Sequence, residues 1–337
     1  MNETRQRIVS GCRPTGRLHL GHLLGALKNW IRLQNEAECF FFVADWHALT
    51  TGWQDTASIR PSTREMVLDW LAAGLDPERV VLFVQSAVKE HAELHLLLSM
   101  IVPTPWLLRN PTIKEQAREL GLLSGDDEAA MTQLNYGMLG YPVLQSADIL
   151  VYRARGVPVG IDQVPHLEMT REVARRFNHL YGEVFPEPAA LLTESPKIPG
   201  TDGRKMSKSY NNAVYLSESD QEIDAKLSRM ATDPRRVRRT DPGDPNDCPA
   251  FNLHRVYCTP EEIAYVTEGC RTAKIGCLEC KKIMIKHVLA DIAPIRARRA
   301  ELERAPERVE SVLADGNARA QAEAGETMRH VREAMKL

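Results

Sequence analysis

The 337-residue chain has little that announces its surroundings. It holds no run of about 18 apolar residues, so no membrane span is expected. Its first residues, Met1 to Arg7, carry no apolar core of the signal-peptide kind, so no secretory leader is expected and the cytoplasm is the expected location. The formal net charge is only −2, so a surface for a polyanion must be a local patch. No internal repeat or low-complexity tract is evident. The common phosphate loops, G-x-G-x-x-G and G-x4-G-K-[ST], are both missing. What is present is 43% apolar residues, enough for a large core, in a length that suits two domains.

The most informative stretch is Ser10 to Ala26. It follows the apolar pair Ile8-Val9, the end of a strand, and runs into Leu23 to Ile31, where apolar residues have helical spacing. Pro14 to Gly21 therefore forms a strand-to-helix turn, whose free N–H groups and helix end suit an anion. Within it, His19-Leu20-Gly21-His22 puts two imidazoles on one helical turn. Such a pair can donate hydrogen bonds to a phosphoryl group as its charge builds. Alone, the motif favours nucleotide chemistry only modestly over a pair of surface histidines or half a metal site.

Far downstream lies Gly203-Arg204-Lys205-Met206-Ser207-Lys208-Ser209-Tyr210, a glycine-led loop with two lysines three apart. It can hold polyphosphate by charge and hydroxyl donors, although an isolated K-x-x-K reads first as a solvated basic loop. Together the two stretches resemble the HIGH and KMSKS signatures of class I aminoacyl-tRNA synthetases. KMSKS is intact here, and HIGH reads HLGH.

Strands and helices alternate through the first half. Cys39 to Val43 and Val80 to Val84 are continuous apolar runs, the pattern of buried parallel strands. Helices are expected over 61–74 and 91–100. This alternation implies a parallel sheet with its site at the carboxyl ends of the strands. Residues 104–132 form a less regular insertion with a loop at Ser124 to Glu128. Asp148 is a carboxylate among Ala147, Ile149 and Leu150, a costly setting unless it has a partner. A substrate N–H is one such partner; a helix surface or cap is the plainer reading. Gly160, Asp162 and Gln163 fall at a second strand-to-helix turn, a place to grip a ribose.

Residues 5–215 resemble bacterial tryptophanyl-tRNA synthetases, most clearly at Ala44 to Thr50, Tyr141 to Tyr152 and Val157 to Arg171. The resemblance implies that Asp148 accepts the indole N–H, in a pocket with Gln145, Val157 and Val159. It implies that Arg13, Pro14, Thr15, Gly21, His22, Gly160, Ile161, Asp162 and Gln163 border ATP. The loop residues Lys205, Met206, Ser207, Lys208 and Ser209 join them, and Ile198 matches a backbone contact to adenine. His19, His22, Lys205 and Lys208 would be the catalytic group, acting on ATP with Mg²⁺. L-tryptophan and tRNA(Trp) are the other implied partners, and a homodimer the implied assembly. Two positions depart from the pattern: Arg13 stands where many relatives have Gln, and Gln145 where many have Met.

Beyond Asn212 the pattern turns helical, with helices expected over 217–230 and from Thr259, and breaks at Pro294, Pro306 and Gly316. The expected organisation is a Rossmann-type catalytic domain over 1–205, then the KMSKS loop and an all-helical anticodon-binding domain over 206–337. A loop at 233–245 carries Arg235, Arg236, Arg238 and Arg239, read equally as a solvated loop or as a phosphate contact. Five of the seven cysteines fall within 248–280, a clustering that suggests a metal rather than disulfides. Four thiolates suit Zn²⁺ or an iron–sulfur cluster. Some tryptophanyl-tRNA synthetases carry a [4Fe–4S] cluster on a C-x22-C-x6-C-x2-C pattern. Cys248-x21-Cys270-x6-Cys277-x2-Cys280 is one residue short of it, with Cys258 as the alternative fourth ligand. The rivals to a tryptophan enzyme are a tyrosyl-tRNA synthetase, a silent RNA-binding paralogue and a simple nucleotidyltransferase.

Overall fold

The computed structural model describes residues 5–119, 121, 131, 134–192 and 198–337. The loop expected at 124–128 lies outside the described residues.

Five parallel strands form one sheet: β1 (Arg7–Cys12), β2 (Glu38–Val43), β3 (Val80–Val84), β4 (Gly156–Val159) and β5 (Ala189–Leu192), in the order β3-β2-β1-β4-β5. Register runs Ile8 opposite Cys39 and Gly156, Cys39 opposite Val80, and Gly156 opposite Ala189. The strand order reverses between β1 and β4, where the crevice of an open parallel sheet lies. Both faces are covered, and β2 shows why its run is entirely apolar. Phe41 stacks on Trp30 on one face at 4.3 Å, and Phe40 stacks on Tyr152 on the other at 4.9 Å. Sheet alternation thus feeds two separate cores from a single strand.

The helices, in chain order, begin with α1 (residues 20–33), which contains a π turn at Leu23–Leu27. Then come α2 (Asp45–Gly52), α3 (Ile59–Ala73), α4 (Glu90–Ser99), two short helices at Thr104–Leu108 and Pro111–Glu119 within the insertion expected to be less regular, α5 (Tyr136–Leu150) and α6 (Val164–Tyr181). The later part is helical: α7 (Asp220–Ser228), α8 (Pro249–Tyr257), α9 (Pro260–Arg271), α10 (Cys277–Glu303) and α11 (Pro306–Met335). The start of α9 follows its sequence signal, with Thr259 as cap, Pro260 in the first turn and Glu262 closing the capping box. The helix expected over 217–230 is shorter, because Ser219 caps it with Glu222.

Two expected breaks are not breaks. Pro294 lies inside α10, where buried Ile292 and Ile295 flank it and packing offsets the lost hydrogen bond. Gly316 lies inside α11 for a steric reason: a Cβ there would sit 1.8 Å from the carbonyl oxygen of Leu82. α11 lies along the outer edge of β3. Asn317 Oδ1 accepts the Val84 N–H at 2.9 Å, and Arg319 donates to the Val80 carbonyl at 3.5 Å. The helix thereby occupies the sheet edge that β3 would otherwise present.

Candidate active site

The HLGH turn leaves β1 and is held by the segment that follows the KMSKS loop. Leu20 N–H donates to the Val214 carbonyl, and Leu216 N–H to that of Leu18, both at 3.0 Å. The two motifs are thus joined by backbone. His19 caps α1 in extended conformation, and its ring lies 3.8 Å from that of His22, centroid to centroid. Gly21 is required here, since a Cβ would come within 2.9 Å of the His19 ring. The His19 backbone N–H donates to His22 Nδ1 at 3.3 Å, which places the proton of neutral His22 on Nε2. Burial, helped by the charge of Lys208, lowers the His19 pKa to about 4. Burial, with His19 and Lys208 nearby, lowers that of His22 to about 3. Both rings are therefore neutral N–H donors at pH 7. Nδ1 of His19 is buried without a partner, a polar atom left for something else to satisfy.

Lys208 reaches this turn, donating to the Thr15 carbonyl and hydroxyl, and burial lowers its pKa to about 8. Asn212 shapes the loop. Its Oδ1 accepts the Ser207 N–H at 2.8 Å, while its Nδ2 donates to Asp202 Oδ1 at 2.7 Å and the Lys205 carbonyl at 3.1 Å. Met206 is buried beside Gly21, and its N–H donates to the Ile198 carbonyl at 3.2 Å. The Ser207 and Ser209 hydroxyls are 2.8 Å apart. Lys205 is exposed, bridged through its backbone to Pro199, and is not drawn onto the histidines as Lys208 is.

Where the strand order reverses, a cavity of about 410 Å³ opens at the ends of β1 and β4. Arg13, Gln145, Asp148, Val157, Val159, Gly160 and Gln163 all line it, so the expected tryptophan and ATP residues share one space. Pro14 is buried in the turn, Thr15 borders a second depression with Lys208, and Ile161 is exposed. The side chain of Asp162 lies outside the described residues; its backbone is in the turn at 161–163.

Asp148 is fully buried, and its partners belong to the protein. His47 Nε2 meets Oδ2 at 2.7 Å, while His91 Nδ1 and Gln85 Nε2 meet Oδ1 at 2.7 and 2.8 Å. Burial raises its pKa, but His47 and His91 outweigh burial and hold the carboxyl well below its ordinary range. These three residues were not among the expected site residues. His47 and Gln85 follow the carboxyl ends of β2 and β3, a position that signals a site in a parallel sheet. His91, inside α4, carries no such signal.

Cys248, Cys270, Cys277 and Cys280 line one cavity together with Arg236 and His254. The Cys270 sulfur is 3.8 Å from Arg236 Nη1, and burial pushes the Cys280 thiol up to about 12. His254 lies between Cys258 and Cys280, its Nδ1 and Nε2 each 3.3 Å from one of the two sulfurs, and Cys258 also forms a tight group with Glu262 and His287, within 4.8 Å of one another. Among the described residues, no three of the four other thiols are drawn that close. In the arginine loop, Arg235 pairs with Asp233 and Asp247, Arg239 lies 3.7 Å from Glu279, and Arg236 donates to the Ile275 carbonyl.

A family model described as tRNA synthetases class I (W and Y) matches residues 1–290. The chain is 54% identical to the tryptophan–tRNA ligase of Thermotoga maritima, over 98% of this chain and 99% of that one. It is 47% identical to the tryptophan–tRNA ligase of Aquifex aeolicus, over 98% and 100%. The chain belongs to the tryptophan–tRNA ligases. These are class I aminoacyl-tRNA synthetases, which use ATP to join tryptophan to tRNA(Trp), and this chain is an enzyme of that type. Among solved structures, tryptophanyl-tRNA synthetase from Campylobacter jejuni, complexed with ADP and tryptophan, superposes with a TM-score of 0.84 at 31% identity, over 98% of this chain and 100% of that one. Tyrosyl-tRNA synthetase from Archaeoglobus fulgidus, at 20% identity and TM-score 0.66, shares the fold. Among the described residues, no helix is long and apolar enough to cross a membrane.

Proposed function

We propose that the cavity between β1 and β4 holds L-tryptophan and the adenosine of ATP, and that the HLGH turn and Lys208 act on the phosphates. The observation that carries this reading is the junction of the two motifs through Leu18, Leu20, Val214 and Leu216 beside that cavity. The tryptophan carboxylate attacks the α-phosphate of Mg²⁺-bound ATP in line, forming a carboxyl–phosphate bond as the bond to pyrophosphate breaks. A ribose hydroxyl of the terminal adenosine of tRNA(Trp) then displaces AMP from the adenylate. The protein contributes position and charge rather than a covalent intermediate. His19 and His22 donate to the phosphates, Lys205 and Lys208 stabilise the leaving pyrophosphate, and Asp148 accepts the indole N–H from a carboxylate oriented by His47, His91 and Gln85.

We read residues 1–205 as the catalytic domain and 206–337 as the KMSKS loop and anticodon-binding domain, in a cytoplasmic homodimer. Cys248, Cys270, Cys277 and Cys280 are read as the ligands of a [4Fe–4S] cluster. Their shared cavity and all-thiol chemistry fit it, with zinc as the alternative metal. Such a cluster supplies iron–thiolate bonds that cross-link the start of α8, the end of α9 and the start of α10.

The deciding experiment is ATP–pyrophosphate exchange across all twenty amino acids. Exchange driven by tryptophan is expected; exchange driven by tyrosine instead overturns the reading.

A further inference from the structure

Asp69 lies on α3, fully buried, and no step of adenylate formation uses it. Its two oxygens are committed to different parts of the chain. Oδ2 accepts the Leu18 N–H at 2.6 Å, and Oδ1 pairs with Arg299 Nη1. Arg299 belongs to α10, and its side chain is 3% exposed. Its guanidinium meets three carboxylates, because Nη2 also meets Glu65 Oε2 at 2.5 Å and Nε meets Glu303 Oε1 at 3.0 Å, and Glu65 in turn receives Arg17 Nε at 3.2 Å. A buried ion pair is a poor way to gain stability, since desolvation offsets most of the attraction. This one fixes a position instead. Leu18 directly precedes His19, and its carbonyl is held by the Leu216 N–H, so both polar groups of residue 18 are anchored. Arg17 and Leu18 thus hang from one Asp69–Glu65–Arg299 network.

We propose that Asp69 and Arg299 are positioning residues for adenylate formation. Asp69 suspends the HLGH turn by the Leu18 N–H, and Arg299 fixes which way Asp69 points. The phosphate-binding imidazoles are thereby set from a helix of the C-terminal region. A small displacement of the turn moves both rings together, and misplacement of about 1 Å commonly costs on the order of 10² in rate. The proposal rests on the reading that His19 and His22 act on the phosphates.

The test is a double-mutant cycle in tryptophan-dependent pyrophosphate exchange, with Arg299→Met, Asp69→Asn and His22→Ala. Arg299→Met is expected to lower kcat on the order of 10²-fold, with KM for tryptophan and ATP within about twofold. In the His22→Ala background it should cost clearly less than in the parent, because one of the two rings it positions is gone. Losses that multiply in the double variant, or that appear in KM alone, overturn the proposal. A His22→Ala enzyme of normal kcat overturns the parent reading and this proposal with it. Should Arg299→Met fail to fold, Arg299→Lys retains the charge without the guanidinium fork and should show the same kcat loss. Normal kcat in a folded Arg299→Lys enzyme overturns the proposal.

Discussion

Lys208 donates from Nζ to the carbonyl of Thr15 and, at 3.2 Å, to its hydroxyl, across 193 positions of sequence. The loop proposed to hold pyrophosphate thus rests directly on the turn that carries the two histidines. Lys208→Ala should lower kcat for pyrophosphate exchange on the order of 10²–10³, with a smaller change in KM for ATP. Lys205→Ala tests the exposed lysine in the same way. Near-normal adenylate formation in both would make the loop an ordinary basic surface.

The pH profile should carry no histidine limb near neutrality. His19 titrates at about 4 and His22 at about 3, so both stay neutral from pH 5 upward. Lys208 loses its proton at about 8, so kcat/KM for ATP should be level to that point and fall above it. Lys208→Arg should move that limb to higher pH. The depressed histidines also oppose protonation of the fold, so stability should fall as pH drops from about 6.5 towards 4. An acid limb near 6.5 in the rate profile would show at least one ring to be charged during turnover.

On the proposed reading, Asp148 serves both tryptophan recognition and stability. Asp148→Asn should abolish most tryptophan-dependent exchange, because it removes the charge that His47, His91 and the indole N–H share. Asp148→Ala should do so and also cost about 3–5 kcal/mol of stability, since buried Gln85 and His91 and part-buried His47 lose their acceptor. The carboxyl is depressed in the fold, so its contribution is full above about pH 4 and is lost as pH falls below that. Thermal melts from pH 7 to pH 3 on the parent and Asp148→Asn would show the difference closing at the acid end.

Two glycines of α11 should respond in opposite directions. Gly316→Val places a Cβ 1.8 Å from the Leu82 carbonyl and should cost about 3 kcal/mol, read as a lower denaturant midpoint. Gly325→Ala meets nothing within 4 Å and should gain about 0.5–1 kcal/mol. Equal effects would mean that α11 does not press on the edge of β3.

Protein purified without oxygen should be brown, with iron content that falls in Cys248→Ser, Cys270→Ser, Cys277→Ser and Cys280→Ser. Cys258→Ser should keep both colour and iron. Colourless protein with one zinc per chain would replace the cluster with zinc, and loss of metal in Cys258→Ser alone would change the ligand set.

Much of the sheet was legible because strands buried on both faces must be apolar throughout, as Cys39 to Val43 and Val80 to Val84 are. The two catalytic signatures were legible as motifs, and Asp148 as an acid in an apolar run. Its partners were not, because His91 looks like any polar residue on a helix until α4 meets α5. Asp69 and Arg299 stand 230 positions apart, and each alone reads as a surface charge. Pro294 and Gly316 misled for a related reason. Local propensity marks them as breaks, while packing against Ile292, Ile295 and Leu82 decides the outcome.

The cover on β3 has a consequence for how the molecule is made. Val80 to Val84 emerges from the ribosome early, yet the helix that shields its edge, Pro306–Met335, is synthesised near the end. Throughout the interval the nascent sheet presents a Val-Val-Leu-Phe-Val edge, an apolar template for pairing with another chain. A chain ending before residue 306 would therefore leave the β3 edge without its cover. Completion of the last helix is what covers that edge, through Asn317 and Arg319.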